Sequence, residues 1–498
     1  MIDAKEQDIY YQAMLSRDAR FDGRFFAGVT TTGIYCRPIC PAPKPKLENV
    51  VFYLSSAGAE SHGFRPCKRC RPDASPGTPD WIGPSAIVSK ALTLINSGHL
   101  DSHSVQQLGE TLELGERQLR RLFKKHLGAS PLAVAITRRL DFARKLIDET
   151  NISMTDVAFT SGFESIRRFN DALKKRFGET PTELRKTARN NRTGNGHKNR
   201  IILHLPYRPP LDWSALLNYL KARQIPGVEK IDKDRYCRSI QLAKTSGVIM
   251  VTPSSRDCHL ALTLQIHSPT ELMTIVHRVC RIFDLGADPL FITNHLQKDP
   301  RLSPIVSAFP GLRVPGSWDN FEIAVRTIIG QQVSIQAANT ITGRLVREYG
   351  TPIENSFIPG ITYLFPTPEA LAAADLSTIG MPVKRARTLN ILASKVSEGE
   401  IALEDIADIE SIKRNLLKSP GIGKWTTEYI AMRALREPDA FPAGDLALKR
   451  ELQEITNQEE DIQEINRPQV WRPWRAYAAM YLWKKHVIRN IKNQEVRL

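Results

Sequence analysis

Two groups of residues in this chain are spaced for chemistry. Cys36 and Cys40 are followed, after a longer loop, by Cys67 and Cys70. Two close cysteine pairs can supply four thiolates to a tetrahedral Zn2+, and such a site contributes folding free energy to a small domain. A thiolate held on a cation stays deprotonated at neutral pH and keeps its nucleophilic electron density. The set therefore suits a structural anchor or a reactive sulfur, and ligand spacing does not distinguish the four. Far along the chain, PGIGKWTTEYIAMRALREPDAFPAGD (Pro420 to Asp445) joins a Pro-Gly-x-Gly turn to a loop that ends on a carboxylate. Gly421 and Gly423 permit a sharp turn that brings backbone N–H groups to the start of the next helix, where a phosphate is well held. Such a turn grips DNA without reading its sequence. Taken singly, the same features also describe a helical C-cap turn and a solvated aspartate.

These residues need elements to hold them. Apolar periodicity over Ile412 to Leu417 and Trp425 to Leu435 predicts a helix on each side of the turn, a helix-hairpin-helix. Upstream, short apolar runs at Ile201 to Leu205, Arg238 to Leu242, Gly247 to Thr252 and His259 to Ile266 predict a small antiparallel sheet. Helical patterns at Asp212 to Ala222 and Thr270 to Phe283 would back it, and from Pro300 the chain is predominantly helical. Between the cysteines and this sheet the chain repeats itself: Leu119 with Leu127-Gly128-x-x-Pro131 recurs as Phe169 with Phe177-Gly178-x-x-Pro181. Each copy has a short amphipathic segment, a tight turn and a basic amphipathic segment: Ser104 to Thr111 then Glu116 to Leu127, and Ser153 to Thr160 then Glu164 to Phe177. This predicts two helix-turn-helix units or, more plainly, a helical bundle with basic outer faces.

Length and composition set the bounds. At 498 residues and 42% hydrophobic content, the chain can bury three or four cores. Its formal charge is +16, most of it in the first 200 residues, which predicts a polyanionic partner. The opening MIDAKEQDIYY lacks a signal-peptide pattern, and no apolar run reaches membrane-spanning length. A soluble cytoplasmic protein with no membrane partner is expected. Seven cysteines, unevenly placed, argue for metal or thiol chemistry in a reducing compartment. Cys237, Cys258 and Cys280 show no metal spacing and are expected to be buried packing residues. The fold class is α+β multidomain. The expected divisions are a four-cysteine zinc domain at 1–75, an all-α double helix-turn-helix domain at 81–187, a polar linker at 188–200, a small antiparallel α+β subdomain at 201–299, and a helical domain with the hairpin at 300–498. SPGTPDWIGPS, from Ser75, is a second linker.

From about Ile201 to the C-terminus the chain resembles the bacterial 3-methyladenine DNA glycosylase II family. The resemblance is carried by Pro420 to Asp445, PGLRVPGSWDNFEIAVRTIIGQQVS (Pro310 to Ser334), GVEKIDKDRYCRSI and WRPWRAYAAMYLW (Trp471 to Trp483). It implies a helix-hairpin-helix that binds double-stranded DNA through Gly421, Gly423 and Lys424, and an enzyme that flips out a damaged base. Asp445 would stabilise an oxocarbenium-like transition state. Trp425, Tyr429 and Trp483 align with the family's base-binding aromatics, suited to cationic N-alkylated purines. Gln332 stands where the family commonly has an apolar wedge, and it has less apolar surface to insert between bases. Related enzymes that also nick DNA place a Schiff-base lysine two residues after the last hairpin glycine. Trp425 is there instead, so a hydrolytic, monofunctional glycosylase without a cofactor is expected.

TTGIYCRPIC, ENVVFY and GFRPCKRCRPD resemble the N-terminal domain of the Ada adaptive-response proteins. That resemblance implies that Cys36 is both a zinc ligand, with Cys40, Cys67 and Cys70, and the acceptor of a methyl group from a DNA methylphosphotriester. Converting one of four thiolates on Zn2+ to a thioether removes one negative charge and eases repulsion from phosphates. Arg65, Lys68, Arg69 and Arg71 are placed to meet that backbone. No second methyltransferase motif is present; Cys258-His259 lacks the flanking residues. DVAFTSGFESIRRFNDALKKRFGETPTELR resembles the AraC-type activator domain, which implies two recognition helices in successive major grooves. Arg117, Gln118, Arg120 and Arg121 are the DNA-contact candidates in the first, and Ser165, Arg167 and Arg168 in the second; RNA polymerase would be a further partner. The function expected is an alkylation-damage glycosylase fused to a methylation sensor and transcription activator. The alternative is a transcription regulator whose glycosylase part is vestigial and only binds damaged DNA.

Overall fold

The protein is described by a computed structural model covering residues 2–77, 79, 86–190, 200–354, 356–404, 408–456 and 468–495. Trp81, where the helix-turn-helix domain was expected to begin, and most of the two linkers lie outside the described residues. The chain forms two compact units. The first comprises Met1–Pro209, Gln241–Cys280 and Leu285–Asp288, the second Pro210–Ile240, Arg281–Asp284 and Pro289–Leu498. Among the described residues, no helix is long and apolar enough to cross a membrane.

At the N-terminus, strands β1 (Phe26–Val29), β2 (Ile34–Cys36), β3 (Val50–Tyr53) and β4 (Arg65–Pro66) form a sheet in the order β3-β1-β2-β4. Aromatic packing fixes the Ala4–Ser16 helix against it: Tyr10 stacks on Phe25 at 4.5 Å, and Phe25 meets Phe52 edge-on at 5.4 Å. β2 runs parallel to β4, with Tyr35 opposite Pro66, and the Cys67 N–H donates to the Tyr35 carbonyl at 3.0 Å. This register draws the two cysteine pairs together.

The repeat forms two pairs of helices, Val105–Thr111 with Glu116–Leu127 and Met154–Thr160 with Ile166–Phe177. Each basic helix buries one narrow stripe, Leu119, Phe123 and Leu127 in the first, Phe169, Leu173 and Arg176 in the second. Each ends on a glycine in the left-handed region, Gly128 at φ 72° and Gly178 at φ 74°, which closes a helix without Cβ strain. The second basic helix starts later than its periodicity predicts. Glu164 is outside it, and Ser165 takes the extended N-cap position.

Five more strands follow: β5 (Ile201–Pro206), β6 (Glu229–Asp232), β7 (Arg235–Gln241), β8 (Ser246–Pro253) and β9 (His259–Ile266). In the first unit β9 pairs antiparallel with both β5 and β8. In the second, β6 and β7 form an antiparallel ribbon. β6 escapes sequence reading because its inward residues are Glu229 and Ile231, and a buried glutamate breaks the apolar alternation. Glu229 is satisfied by the Tyr236 hydroxyl at 2.6 Å and the Ile225 N–H at 3.0 Å. Nearby, Arg238 and Glu322, 2% and 1% exposed, pair at 2.6 Å. Of the three cysteines expected to be buried, Cys237 is, whereas Cys258 and Cys280 are half-buried. Cys258 sits in the tight β8–β9 connection at φ 55°, a turn position that faces partly to solvent.

Candidate active site and candidate metal centre

The hairpin forms as its sequence predicts. Helix Ile409–Leu417 leads through the turn into helix Lys424–Arg433. Gly421 adopts φ 84°, and a Cβ there would come 2.1 Å from Thr388 Oγ1, so this position requires glycine. Gly423 caps the second helix with extended backbone and no side-chain cap. The first N–H groups of that helix are left open beside exposed Gly421, Gly423 and Lys424, which is the arrangement that binds a phosphate. Ser419 and Ile422 are buried and anchor the turn from beneath.

Asp445 lies at the start of helix Leu446–Thr456. Its Oδ1 accepts from the N–H groups of Ala447 and Leu448 at 3.0 and 3.1 Å, the geometry of a helix N-cap. The same oxygen accepts from Trp483 Nε1 at 3.0 Å. All three bonds converge on Oδ1. Oδ2 has no hydrogen-bond partner among the described residues, so one carboxylate oxygen is fixed and the other is available. The Phe441 N–H donates to Glu428 Oε2 at 3.0 Å, tying the loop before Asp445 to the hairpin helix.

The three aromatic candidates meet beside this carboxylate. Trp425 and Tyr429, one helical turn apart, stack at 5.4 Å with 24° between their planes, and Trp483 packs on Tyr429 at 6.1 Å. All three are half-buried. Trp425 Nε1 is buried with no hydrogen-bond partner among the described residues, leaving a donor in an otherwise aromatic wall. Sequence reasoning missed the polar edge of this wall, where Tyr219 and the buried Arg433 contact the Tyr429 hydroxyl.

The loop that follows helix Asn320–Ile329 supplies the gap-filling candidate. Gln332 is exposed and held at φ 54°, a left-handed conformation that is uncommon for glutamine. Its neighbour Gln331 explains the strain: Nε2 donates to the Gly421 carbonyl at 3.0 Å and to Thr426 Oγ1 at 2.9 Å, while Arg385 donates to its carbonyl. The loop is thereby clamped to the hairpin. Val333 and Ile335 flank Gln332 and are exposed, so apolar surface is present even though the tip is polar.

In the first unit the sulfurs of Cys36, Cys40, Cys67 and Cys70 lie within 4.8 Å of one another. Hydrogen bonds among the crowded thiols push Cys36 and Cys70 up and pull Cys40 and Cys67 down. Four such groups fit a tetrahedral cation, because only a cation lets all four ionise together. Arg37 braces the cluster, its N–H on Cys70 Sγ at 3.3 Å and its Nη1 on the Cys70 carbonyl at 3.2 Å. Cys36 alone of the four is half-exposed; the others are buried. With Cys40 and Cys67 it lines a cavity of about 620 Å3 whose wall includes Lys44, Arg65, Lys68, Arg69 and Lys175. Arg71 does not join that wall, being paired with Asp73 and Asp148.

On the helix-turn-helix pairs, Arg117, Gln118, Arg120 and Arg121 are exposed on the first basic helix, with Arg120 bonded to Glu116 at 2.8 Å. On the second, Arg167 and Arg168 are exposed and Ser165 is half-buried at the N-cap.

Four family models match the chain in this order: the metal binding domain of Ada at 9–73, a helix-turn-helix domain at 108–187, the AlkA N-terminal domain at 202–319, and the HhH-GPD superfamily base excision DNA repair protein at 325–476. A protein of Mycobacterium tuberculosis named "Probable bifunctional transcriptional activator/DNA repair enzyme AlkA" is 40% identical over 474 residues, 95% of each chain. The Escherichia coli "DNA-3-methyladenine glycosylase 2" is 34% identical over 282 residues, 56% of this chain and 95% of its own. The Bacillus subtilis "Bifunctional transcriptional activator/DNA repair enzyme AdaA" is 30% identical over 191 residues, 38% of this chain and 88% of its own.

Proposed function

The chain belongs to the family of bifunctional transcriptional activator/DNA repair enzymes, and from that premise we propose how its residues divide the work. It is a DNA-binding, zinc-binding regulator of Ada type fused to a base-excision glycosylase. The glycosylase part hydrolyses the N-glycosidic bond of alkylated purines such as 3-methyladenine. The observation that carries this reading is Asp445, with Oδ1 held by Trp483 and two backbone N–H groups and Oδ2 free beside three aromatic rings.

In the reaction, Gly421, Gly423 and Lys424 hold the DNA backbone and Gln332 occupies the gap left by the flipped nucleotide. Trp425, Tyr429 and Trp483 enclose the base. As the bond from the sugar to the base breaks, its electron pair leaves with the base, and the Asp445 carboxylate stabilises positive charge on the sugar until water adds. An N-alkylated purine is already cationic, so it leaves as a neutral base. The glycosylase part uses no cofactor and forms no covalent intermediate with the protein.

In the sensor, Cys36, Cys40, Cys67 and Cys70 would hold one Zn2+, which when bound would keep the thiolates ionised at neutral pH. The Cys36 sulfur attacks the methyl carbon of a DNA methylphosphotriester, a C–S bond forms, and the C–O bond breaks with its electrons left on the phosphodiester. Its half-exposure, where the other three ligands are buried, supports this assignment, and the cationic cavity that it lines with Cys40 and Cys67 suits a phosphate backbone. Arg117, Gln118, Arg120, Arg121, Ser165, Arg167 and Arg168 then bind promoter DNA, with RNA polymerase as a further partner, in the cytoplasm. The work divides among a sensor at 1–75, a helix-turn-helix domain at 81–187, a linker at 188–200, and glycosylase parts at 201–299 and 300–498. Incubating the protein with methylated duplex and measuring free bases tests the reading: N-alkylated purines should be released, and their complete retention would refute it.

A further inference from the structure

The loop that ends on Asp445 is fixed at both ends. At its start, Asp439 pairs with Arg475 at 2.7 Å and with Arg472 at 2.9 Å. At its finish, Asp445 Oδ1 caps the helix it begins and accepts from Trp483, on helix Arg475–Glu495. Both ties lead away from the hairpin, which is the part that would hold the DNA.

Glu428 supplies the missing link. It stands on the second hairpin helix, three residues after Trp425 and one before Tyr429. Its Oε2 accepts from the Phe441 N–H at 3.0 Å, and its Oε1 pairs with Lys413 Nζ at 2.7 Å. Lys413 belongs to the first hairpin helix. One carboxylate thus joins both hairpin helices to the loop. The Glu428 and Lys413 side chains are 25% and 19% exposed, so solvent screens this pair less than an open surface pair. Glu410 also approaches Lys413 Nζ, but at 3.4 Å and from a side chain that is 71% exposed. Phe441 is 5% exposed. A backbone donor at such a position needs an acceptor, and a charged one makes the stronger bond.

From Phe441 the path to Asp445 is short and tightly turned. The Ala443 N–H donates to the Phe441 carbonyl at 2.8 Å, and the Asp445 N–H to the Pro442 carbonyl at 2.9 Å. Gly444 lets the turn pass close to the indole, since a Cβ there would come 3.2 Å from Trp425 Cβ. A shift at Phe441 is therefore passed on to the carboxylate.

Resting on the glycosylase reading, we infer that Glu428 is a positioning residue for base excision: with Lys413 it sets Asp445 relative to the hairpin, so that the grip on the phosphate backbone and the placement of the carboxylate against the sugar are coupled. Glu428 acts through Asp445 and touches neither base nor sugar. The tie matters because a reacting group misplaced by about 1 Å can lose on the order of a hundredfold in rate.

Single-turnover release of 3-methyladenine from an alkylated duplex, set beside anisotropy binding to the undamaged duplex, tests this. Glu428→Ala removes both bonds and should slow release about tenfold or more, with affinity held to within about twofold. Glu428→Gln keeps an oxygen for the Phe441 N–H and should recover most of the lost rate. Lys413→Met removes the counter-ion alone and should lose less than Glu428→Ala. Glu428→Asp keeps the charge but is one methylene too short to span both partners; it should also slow release, and it carries the test if the alanine variant does not fold. A general loss of stability would instead lower rate and affinity together. Unaltered release by Glu428→Ala and Glu428→Asp, a loss shared equally by rate and affinity, or a glutamine variant as slow as the alanine one would overturn the inference and leave base excision standing. Absence of release by the unaltered protein would refute the glycosylase reading, and this inference with it.

Discussion

Trp483 Nε1 donates to Asp445 Oδ1 at 3.0 Å across 38 positions of sequence. The bond joins a wall of the aromatic pocket to the carboxylate and uses the oxygen already fixed by the N–H groups of Ala447 and Leu448. A carboxylate that caps a helix through one oxygen is held in place, and its second oxygen has no hydrogen-bond partner among the described residues. Preorganisation of this kind costs nothing at the moment of reaction. Trp483→Phe keeps the ring and removes the donor. We expect it to slow base release by roughly tenfold with little change in duplex binding, a split between rate and affinity that single-turnover kinetics and a binding titration would resolve.

The hairpin should fail as a clamp before it fails as a fold. Gly421→Ala introduces a Cβ into Thr388 at a left-handed position and should displace the turn. Affinity for undamaged duplex should fall together with affinity for damaged duplex, since the contact is to phosphate. Fluorescence anisotropy with both DNAs checks this; a loss confined to damaged DNA would be inconsistent with a backbone clamp.

Burial of the Arg238 and Glu322 pair makes a stability prediction. Glu322→Gln leaves a buried guanidinium short of its counter-charge and should cost about 3 to 5 kcal/mol. Denaturant unfolding monitored by tryptophan fluorescence should show that drop. An unchanged midpoint would mean the charge is compensated elsewhere.

For the sensor, Cys36 should be the one zinc ligand that acquires a methyl group on exposure to DNA methylphosphotriesters, and the metal should stay bound. Removal of one negative charge beside Arg65, Lys68 and Arg69 should tighten promoter binding, most clearly at low salt. Peptide mass spectrometry, metal analysis and titrations at two ionic strengths check the three parts. A methyl on Cys40, Cys67 or Cys70 would contradict the role given to Cys36.

Much of the site was legible because its chemistry is written in short spacings. The cysteine pairs show their spacing within a few residues, whereas the Pro-Gly-x-Gly turn and Asp445, ambiguous singly, are singled out by the resemblance of the whole Pro420 to Asp445 stretch. The stacking of Trp425 on Tyr429 follows from their separation by one helical turn. Tyr219 was hidden because it meets Tyr429 across 210 positions, and no local pattern marks it apart from core. Arg433 looks like an ordinary helical cation until its burial is known. The accessibility of Cys36 follows from its place at the end of β2, which ligand spacing does not encode. The amphipathic pattern places Ser165 inside a recognition helix; in the structure it is the N-cap, in extended backbone and with no side-chain cap hydrogen bond.

The central claim is that Asp445 carries base excision. Single-turnover release of 3-methyladenine from an alkylated duplex by Asp445→Asn measures it most directly, because the amide keeps the size of the carboxylate and can keep its cap while removing the charge. The account predicts a loss of about a hundredfold or more in the release rate with DNA binding retained. Release at the unaltered rate would contradict it.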